Sequence, residues 1–482
     1  MSISGALNAA VTGLSASSRA AELVAANVAN ASTEGYGRRE IALQSSAVSP
    51  GVLVIDVIRY SSPVLTGDRR LAEASAVDKD VRADFLRQLE QAIGTPEGEG
   101  SLGARIAAFD AALIEAASRP ESEARLSTVA NAAQALTRTF ADISGQIQTA
   151  RTQADRSVAY EVEGINTALR QVQALNVQIQ TFQGSRRDPS ALLDQRQVLV
   201  DKIASAIPLR EVKREGGQIA LLTTGGAVLL EGRAATLGFV PAGTVAAQSS
   251  VANGGLSGLT LDGKPLPTVG ADNPIAGGSL SARFAVRDEL AVDAQARLDA
   301  MARDVMERFQ SPGLDPTLAP GSAGLFTDRG QPFNTATETG LSARLAVNMA
   351  VDPAAGGALW RLRDGLGAGA PGPAGQSALL TSLRGVLTEP RSPASGGFMP
   401  GNRSVSTLAG EMLSAVSSRR VSAEGEASFS QARFTTLKEM ELSEGVDTDQ
   451  ELQSLLAIEQ SYAANAKVIQ SVEEMMKLIL GL

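Results

Sequence analysis

Gly98-Glu99-Gly100-Ser101-Leu102-Gly103 carries the GxGxxG spacing and opens onto a helical run. In a dinucleotide site such glycines let the backbone approach a pyrophosphate held at a helix N-terminus. That chemistry needs a buried strand just before the turn. Here the preceding Phe85-Leu86-Arg87-Gln88-Leu89 is patterned as helix, so the turn reads as a helix-helix connection. The carboxylates offer no pair in an apolar setting that would separate two pKa values for acid and base roles. Asp188, Asp194 and Arg196 read as helix capping and local ion pairing. The chain has no cysteine and no histidine, which removes thiolate and imidazole chemistry together with disulfides. No catalytic, cofactor-binding or metal-binding residue is expected, and the chain reads as a non-enzyme. Asn30-Ala31-Ser32 and Asn402-Arg403-Ser404 fit the N-glycosylation triplet, a common chance match. Tyr36 and Tyr462 each sit among small residues, at opposite ends of the chain. Each either anchors one subunit on another or packs within its own chain.

The elements around those tyrosines carry a stronger pattern. Ile3, Leu7, Ala10, Leu14, Ser17, Ala21, Val24 and Val28 alternate spacings of four and three. Leu455, Ile458, Tyr462, Asn465, Ile469, Val472, Met476 and Ile479 do the same. Such spacing aligns small and apolar side chains along one helical seam. A lone helix of this length is marginal in water, so each end needs a partner. The nearest candidates are the opposite end and the ends of other copies.

Between the ends, residues 39–65 read as an extended arm and 77–93 and 101–118 as helices. From Glu121 to Asp188 no proline interrupts the run, and Leu126, Val129, Ala133, Leu136, Phe140, Ile143, Ile147 and Ala150 hold the seven-residue repeat. Ala154, Val158 and Val162 then advance by fours, a phase slip that relaxes supercoil. Residues 190–206 read as a helix with Ser190 as its N-cap. Leu209–Leu230 is β-rich, and Asp262-Gly263 is a hairpin signal. Helix returns at 281–310, residues 311–405 are irregular with short helices near 341–350 and 376–388, and helix resumes at 405–442. The expected fold is mainly α with an inserted β module: elongated and multidomain, with paired N- and C-terminal coiled-coil helices and a long helical bundle. The expected division is 1–45 with 444–482 as a terminal coiled-coil domain, 46–206 with 281–443 as a mainly helical rod domain, and 207–280 as an inserted β domain folded by its own hairpins.

At 482 residues, with 44% hydrophobic but only 4% aromatic side chains, the composition suits long, closely packed helices. A net charge of −9 argues against a nucleic-acid partner. The Arg-Arg pairs at 38–39, 69–70, 186–187 and 419–420 are dispersed and read as solvated surface. No stretch reaches the ~20 apolar residues needed to cross a bilayer. No charged n-region precedes an apolar h-region, so a standard secretory signal is not expected.

Asn27-Val28-Ala29-Asn30-Ala31-Ser32-Thr33-Glu34-Gly35-Tyr36-Gly37-Arg38 resembles the N-terminal signature of bacterial flagellar rod, hook and hook-associated axial proteins. In this loop Asn27, Asn30, Thr33, Gly35 and Tyr36 carry the likeness. Gln460-Ser461-Tyr462-Ala463-Ala464-Asn465-Ala466-Lys467-Val468-Ile469-Gln470 is similar to their C-terminal signature. Ala191-Leu192-Leu193-Asp194-Gln195-Arg196, the return at Gly277-Gly278-Ser279-Leu280 and the run Arg287-Asp288-Glu289-Leu290 resemble the hook-associated branch. The resemblance implies a structural adaptor at the junction of hook and filament, secreted through the flagellar type III route into the extracellular flagellum. It implies self-assembly into a ring or tubular layer, contact with hook protein and other hook-associated proteins, and an export chaperone on the C-terminal helix. The assembly interface would then be Ile3, Leu7, Leu14, Val24, Val28, Leu455, Ile458, Tyr462, Ile469, Val472, Met476 and Ile479. A flagellin-like, hook or rod subunit is the alternative; a nucleotide-binding enzyme is a third reading.

Overall fold

The computed structural model describes residues 2–45 and 50–481. Helix α1 (Ile3–Ala29) is followed by an antiparallel hairpin, β1 (Arg39–Ser45) and β2 (Val52–Arg59). Helices α2 (Pro63–Ile93), α3 (Leu102–Ser118), α4 (Glu123–Gly184) and α5 (Ser190–Ala206) come next. Strands β3 (Leu209–Lys213), β4 (Ile219–Thr223), β5 (Val228–Glu231) and β6 (Arg233–Ala234) form one small sheet. Strands β7 (Leu237–Gly238), β8 (Leu259–Leu261) and β9 (Lys264–Leu266) form another. Helix α6 (Ser279–Ala285) passes through a π turn at Val286–Leu290 into α7 (Ala291–Phe309). Strand β10 (Phe326–Asp328) pairs with β11 (Leu345–Val347), and α8 (Arg361–Asp364) and α9 (Ala378–Thr388) follow. The chain closes with α10 (Val405–Ser443) and α11 (Thr448–Leu480).

Three expectations change. The extended arm ends at Arg59, because Ser62 caps the next helix and Pro63 begins it: the Ser62 side chain accepts from the Leu65 amide. Helix α2 therefore starts well before Val77. Helix α5 is capped by Asp188, whose Oδ1 accepts from the amide of Ser190 at 2.9 Å and its hydroxyl at 2.6 Å, while Ser190 itself is buried. The segment 341–350 is a strand between two 3-10 turns, with Asn348 turning the chain.

Two apolar cores share one long helix. The first gathers Phe85–Ile93 of α2, α3, Leu126–Ala154 of α4, α7, α9 and Val405–Val416 of α10. At its centre Phe109, Phe309 and Phe326 pack with centroids 4.9–5.9 Å apart. The second joins Val158–Val172 of α4, Val200, Ile203 and Ala204 of α5, Ile219, Leu221, Leu229 and Leu230 of the first sheet, and Leu280 and Phe284 of α6. The strands therefore complete a core with α4 and α5 and do not close one of their own. At 1.5 Å per residue, α4 reaches about 90 Å, and its 62 residues run unbroken through both cores.

Candidate functional site: the terminal helix pair and its polar joint

Helices α1 and α11 lie against each other, and their contact is thin. Ala10, Gly13, Ala16, Val24 and Asn27 are buried on α1, with Glu451 and Val472 on α11. Gly13 faces Asn465 at close range: a Cβ there would stand 2.7 Å from Asn465 Nδ2. Of the expected seam, Val24 and Val472 are buried. Ile3, Leu7, Leu14, Leu455, Ile458 and Ile469 are half-buried. Val28, Tyr462, Met476 and Ile479 are exposed, at 37%, 49%, 44% and 59%. A strict seven-residue repeat drifts around a straight helix by about 20° per heptad, which carries Val28 out of the contact and brings Gly13 in. Leu452, Leu456, Val468, Met475 and Leu478 of α11 are exposed as well, so the contact with α1 leaves many apolar side chains of α11 uncovered.

The motif loop fastens this pair to the body. Asn27 is fully buried and serves four partners. Its Nδ2 donates to Arg39 O at 2.9 Å and to Glu451 Oε2 at 3.0 Å. Its Oδ1 accepts from the Tyr36 hydroxyl at 2.9 Å and the Arg39 amide at 3.0 Å. Both amide faces are used, so the side chain welds the end of α1 to the loop, to β1 and to the start of α11. Glu451 Oε1 also receives Arg38 Nε at 2.7 Å. Asn30 reaches back to Ala26 O at 2.9 Å, and Thr33 caps Asn30 Oδ1 at 3.3 Å. Gly35 sits at φ +79, and a Cβ there would lie 2.7 Å from Val198 of α5, so the loop can approach α5 only with glycine. Burial raises the Tyr36 phenol above its ordinary range, and the Arg39 guanidinium 4.8 Å from its ring centre counters this in part.

Asp194 of α5 is the second hub. It accepts from the Gly37 amide at 3.1 Å and Arg59 Nε at 2.7 Å, and it pairs with Arg39. Arg59 continues to Gly35 O at 3.0 Å and Gln197 at 2.6 Å. Two stretches singled out in the sequence, the Asn27–Arg38 loop and Ala191–Arg196, are thus one contact in space. Local pairing for Asp194 is wrong; it bridges residues over 130 positions apart. Arg196 holds Asn176 Oδ1 at 2.9 Å and Gly217 O at 2.7 Å, tying α5 to α4 and the turn between β3 and β4.

Solvated surface is also wrong for Arg69-Arg70, which are 7% and 5% exposed. Arg69 pairs with Glu441, Asp201 and Glu73 at 2.5, 2.7 and 2.8 Å, and Arg70 with Asp201 and Glu211 at 2.5 and 2.9 Å. These clusters surround a cavity of about 160 Å³ between the motif loop, the start of α2 and the α10–α11 elbow. Its walls are mixed in sign, which gives no single ligand charge a preference. The Gly98–Gly103 turn follows α2 and is capped by Ser101, so the strand that a dinucleotide site needs is replaced by helix. Among the described residues no cluster of acidic side chains could hold a metal ion, and no helix is long and apolar enough to cross a membrane.

Three family models match in chain order. One described as a flagella basal body rod protein covers 7–36, one as the flagellar hook-associated protein FlgK helical domain covers 86–321, and one as the flagellar basal body rod FlgEFG protein C-terminal covers 442–482. In three separate stretches, from end to end, the chain is similar to proteins of the flagellar rod, hook and hook-associated series. Among curated relatives, flagellar hook-associated protein 1 of Bacillus subtilis is 29% identical over 240 residues, 47% of each chain. Its counterpart in Escherichia coli is 24% identical over 261 residues, 52% of this chain and 47% of that one. The match thus spans about half the length of these relatives. The flagellar hook junction protein FlgK from Burkholderia pseudomallei superposes with a TM-score of 0.44 at 21% identity, covering 56% of this chain and 45% of that one. The rod-type and C-terminal matches fall on α1 with its loop and on α11, the two helices that Asn27 and Glu451 lock together.

Proposed function

We propose that this chain is a structural adaptor of the bacterial flagellum, joining hook to filament by assembling through its terminal helices. The observation that carries the reading is the uncovered apolar surface of α11, where Leu452, Leu456, Tyr462, Met476 and Ile479 are between 44% and 60% exposed. Such a surface is uncommon on a helix that has already found its partner. The β1–β2 hairpin, which packs on α1, exposes Leu43, Leu53, Ile55 and Ile58 as well. Copies arranged around an axis would cover both, and in a closed ring each loss repeats in every subunit. Hook protein and other hook-associated proteins would flank the ring outside the cell. Before assembly, the same uncovered surface of α11 offers a hydrophobic groove-filling face to an export chaperone.

Tyr462→Asp with Met476→Asp tests this. Both side chains are exposed, so the purified monomer should melt within about 1 °C of the parent, since surface changes of this kind fall within ±0.5 kcal/mol. In a strain carrying only the variant, filament subunits should escape into the medium. Normal filaments on those cells would show that this surface is not the assembly surface.

A further inference from the structure

Helix α10 changes character halfway along. Its first part, Val405–Val416, belongs to the first core. Beyond Ala423 the only side chain of α10 buried among the described residues is Ser430. No aliphatic residue of 424–443 enters either core. In this second half Phe429, Met440 and Leu442 are exposed, at 74%, 49% and 56%.

What holds 424–443 in place is a ladder along α2. Glu424 meets Arg87 at 3.2 Å and Glu426 meets Lys79 at 2.7 Å. The Ser430 and Ser75 hydroxyls share a hydrogen bond of 3.3 Å, and Lys438 reaches Glu34 at 3.2 Å. Glu441 receives Arg69 and the Thr66 hydroxyl, each at 2.5 Å. The facing side of α2 is small, with Ala72, Ala76 and Ala83 buried. That part of α2 is fastened independently to α5 and β3, through the Asp201 and Glu211 pairs with Arg69 and Arg70.

The apolar side chains of this segment on its α2 side, Ala427, Phe434 and Leu437, are only half-buried, and a helix of twenty residues held in this way is marginal by itself. Partly exposed ion pairs hold weakly and are screened by salt. We infer that residues 424–443 form a detachable ionic strap: a unit that loosens from α2 while both cores stay folded and while Glu451 keeps the start of α11 at the joint. This inference does not rest on the assembly reading, and its readout needs no assembly.

Hydrogen exchange on the purified full chain at low salt and at ~1 M sodium chloride tests it, since screening reaches within about 3 Å at that strength. Amides of 424–443 should exchange at least about tenfold faster at high salt, with α4 unchanged. The chain has no native cysteine, so Ser75→Cys with Ser430→Cys, oxidised, adds a single crosslink across the strap. That variant should restore protection at high salt and lose it again on reduction. Three results overturn the inference: strap amides slow at both salts, strap amides fast at both salts, or α4 accelerating in parallel with the strap.

Discussion

Asp194→Ala separates the joint from the cores. The carboxylate is 15% exposed, and it faces two guanidinium groups whose side chains are 16% and 11% exposed. Removing it also strands the Gly37 amide, which donates to Oδ1 at 3.1 Å. Breaking a fully buried pair by deleting one partner costs about 3–5 kcal/mol. Here Arg59 keeps Gly35 O and Gln197, and all three groups retain some water, so the cost falls to about 1–3 kcal/mol. At about 1.4 kcal/mol per tenfold, local opening of residues 31–60 should rise roughly 5- to 150-fold. None of the described residues among these belongs to either core, so the loss should stay local. Hydrogen exchange of peptides from 31–60, read against peptides from 126–172, measures it. Asp194→Asn keeps an acceptor for Gly37 and should give a smaller effect. Unchanged exchange in 31–60, or equal acceleration in α4, would refute the reasoning.

Arg308→Ala should cost about 3–5 kcal/mol in urea unfolding, because Arg308 is 2% exposed and ties Asp304 to the carbonyls of Val386, Glu389 and Arg403. A loss under about 1 kcal/mol would mean the segment around α9 is held by apolar packing alone. Asp299 gives a pH test: burial, the largest influence, raises its carboxyl above the ordinary range despite donors from Ser342, Gly340 and Gln295. A raised carboxyl favours the folded state most when protonated, so its contribution is full below the unfolded value and is lost as pH rises through the folded one. Asp299→Asn removes that dependence, so relative to the parent the variant should gain stability as pH rises above the unfolded carboxyl value of about 4. A stability difference that is flat with pH would contradict it.

The helices were legible because their periodicity is carried by many residues at once. The bounds of α3, α4, α10 and α11 follow from Ser101, Pro120, Ser404 and Asp447 together with that pattern. The Asp262-Gly263 hairpin was equally plain, with both residues at positive φ. The polar joint was not legible as a joint. Its partners lie far apart in sequence, and charge spacing along a chain says nothing about which arginine meets which carboxylate across 130 to 420 positions. A signal for α2 was present in Ser62-Pro63, a cap followed by a residue pre-set for the first turn. The strand at 345–347 was hidden because three residues carry no period. Arg69-Arg70 could be placed inside only after α5 and α10 were seen to bring carboxylates to them.

Helix α4 makes the two cores one lever. Nothing between Ala154 and Val158 interrupts it, so one core cannot swing against the other without bending a single continuous helix. Over about 90 Å, a tilt of only about 5° at one end displaces the other by about 8 Å. A small rotation imposed near the joint, where Arg196 of α5 holds Asn176, is thereby magnified at the opposite tip of α4 near Glu123. Conversely, a sideways push on that tip returns to the joint as torque, where arginine–carboxylate pairs, which can break and re-form, take it up.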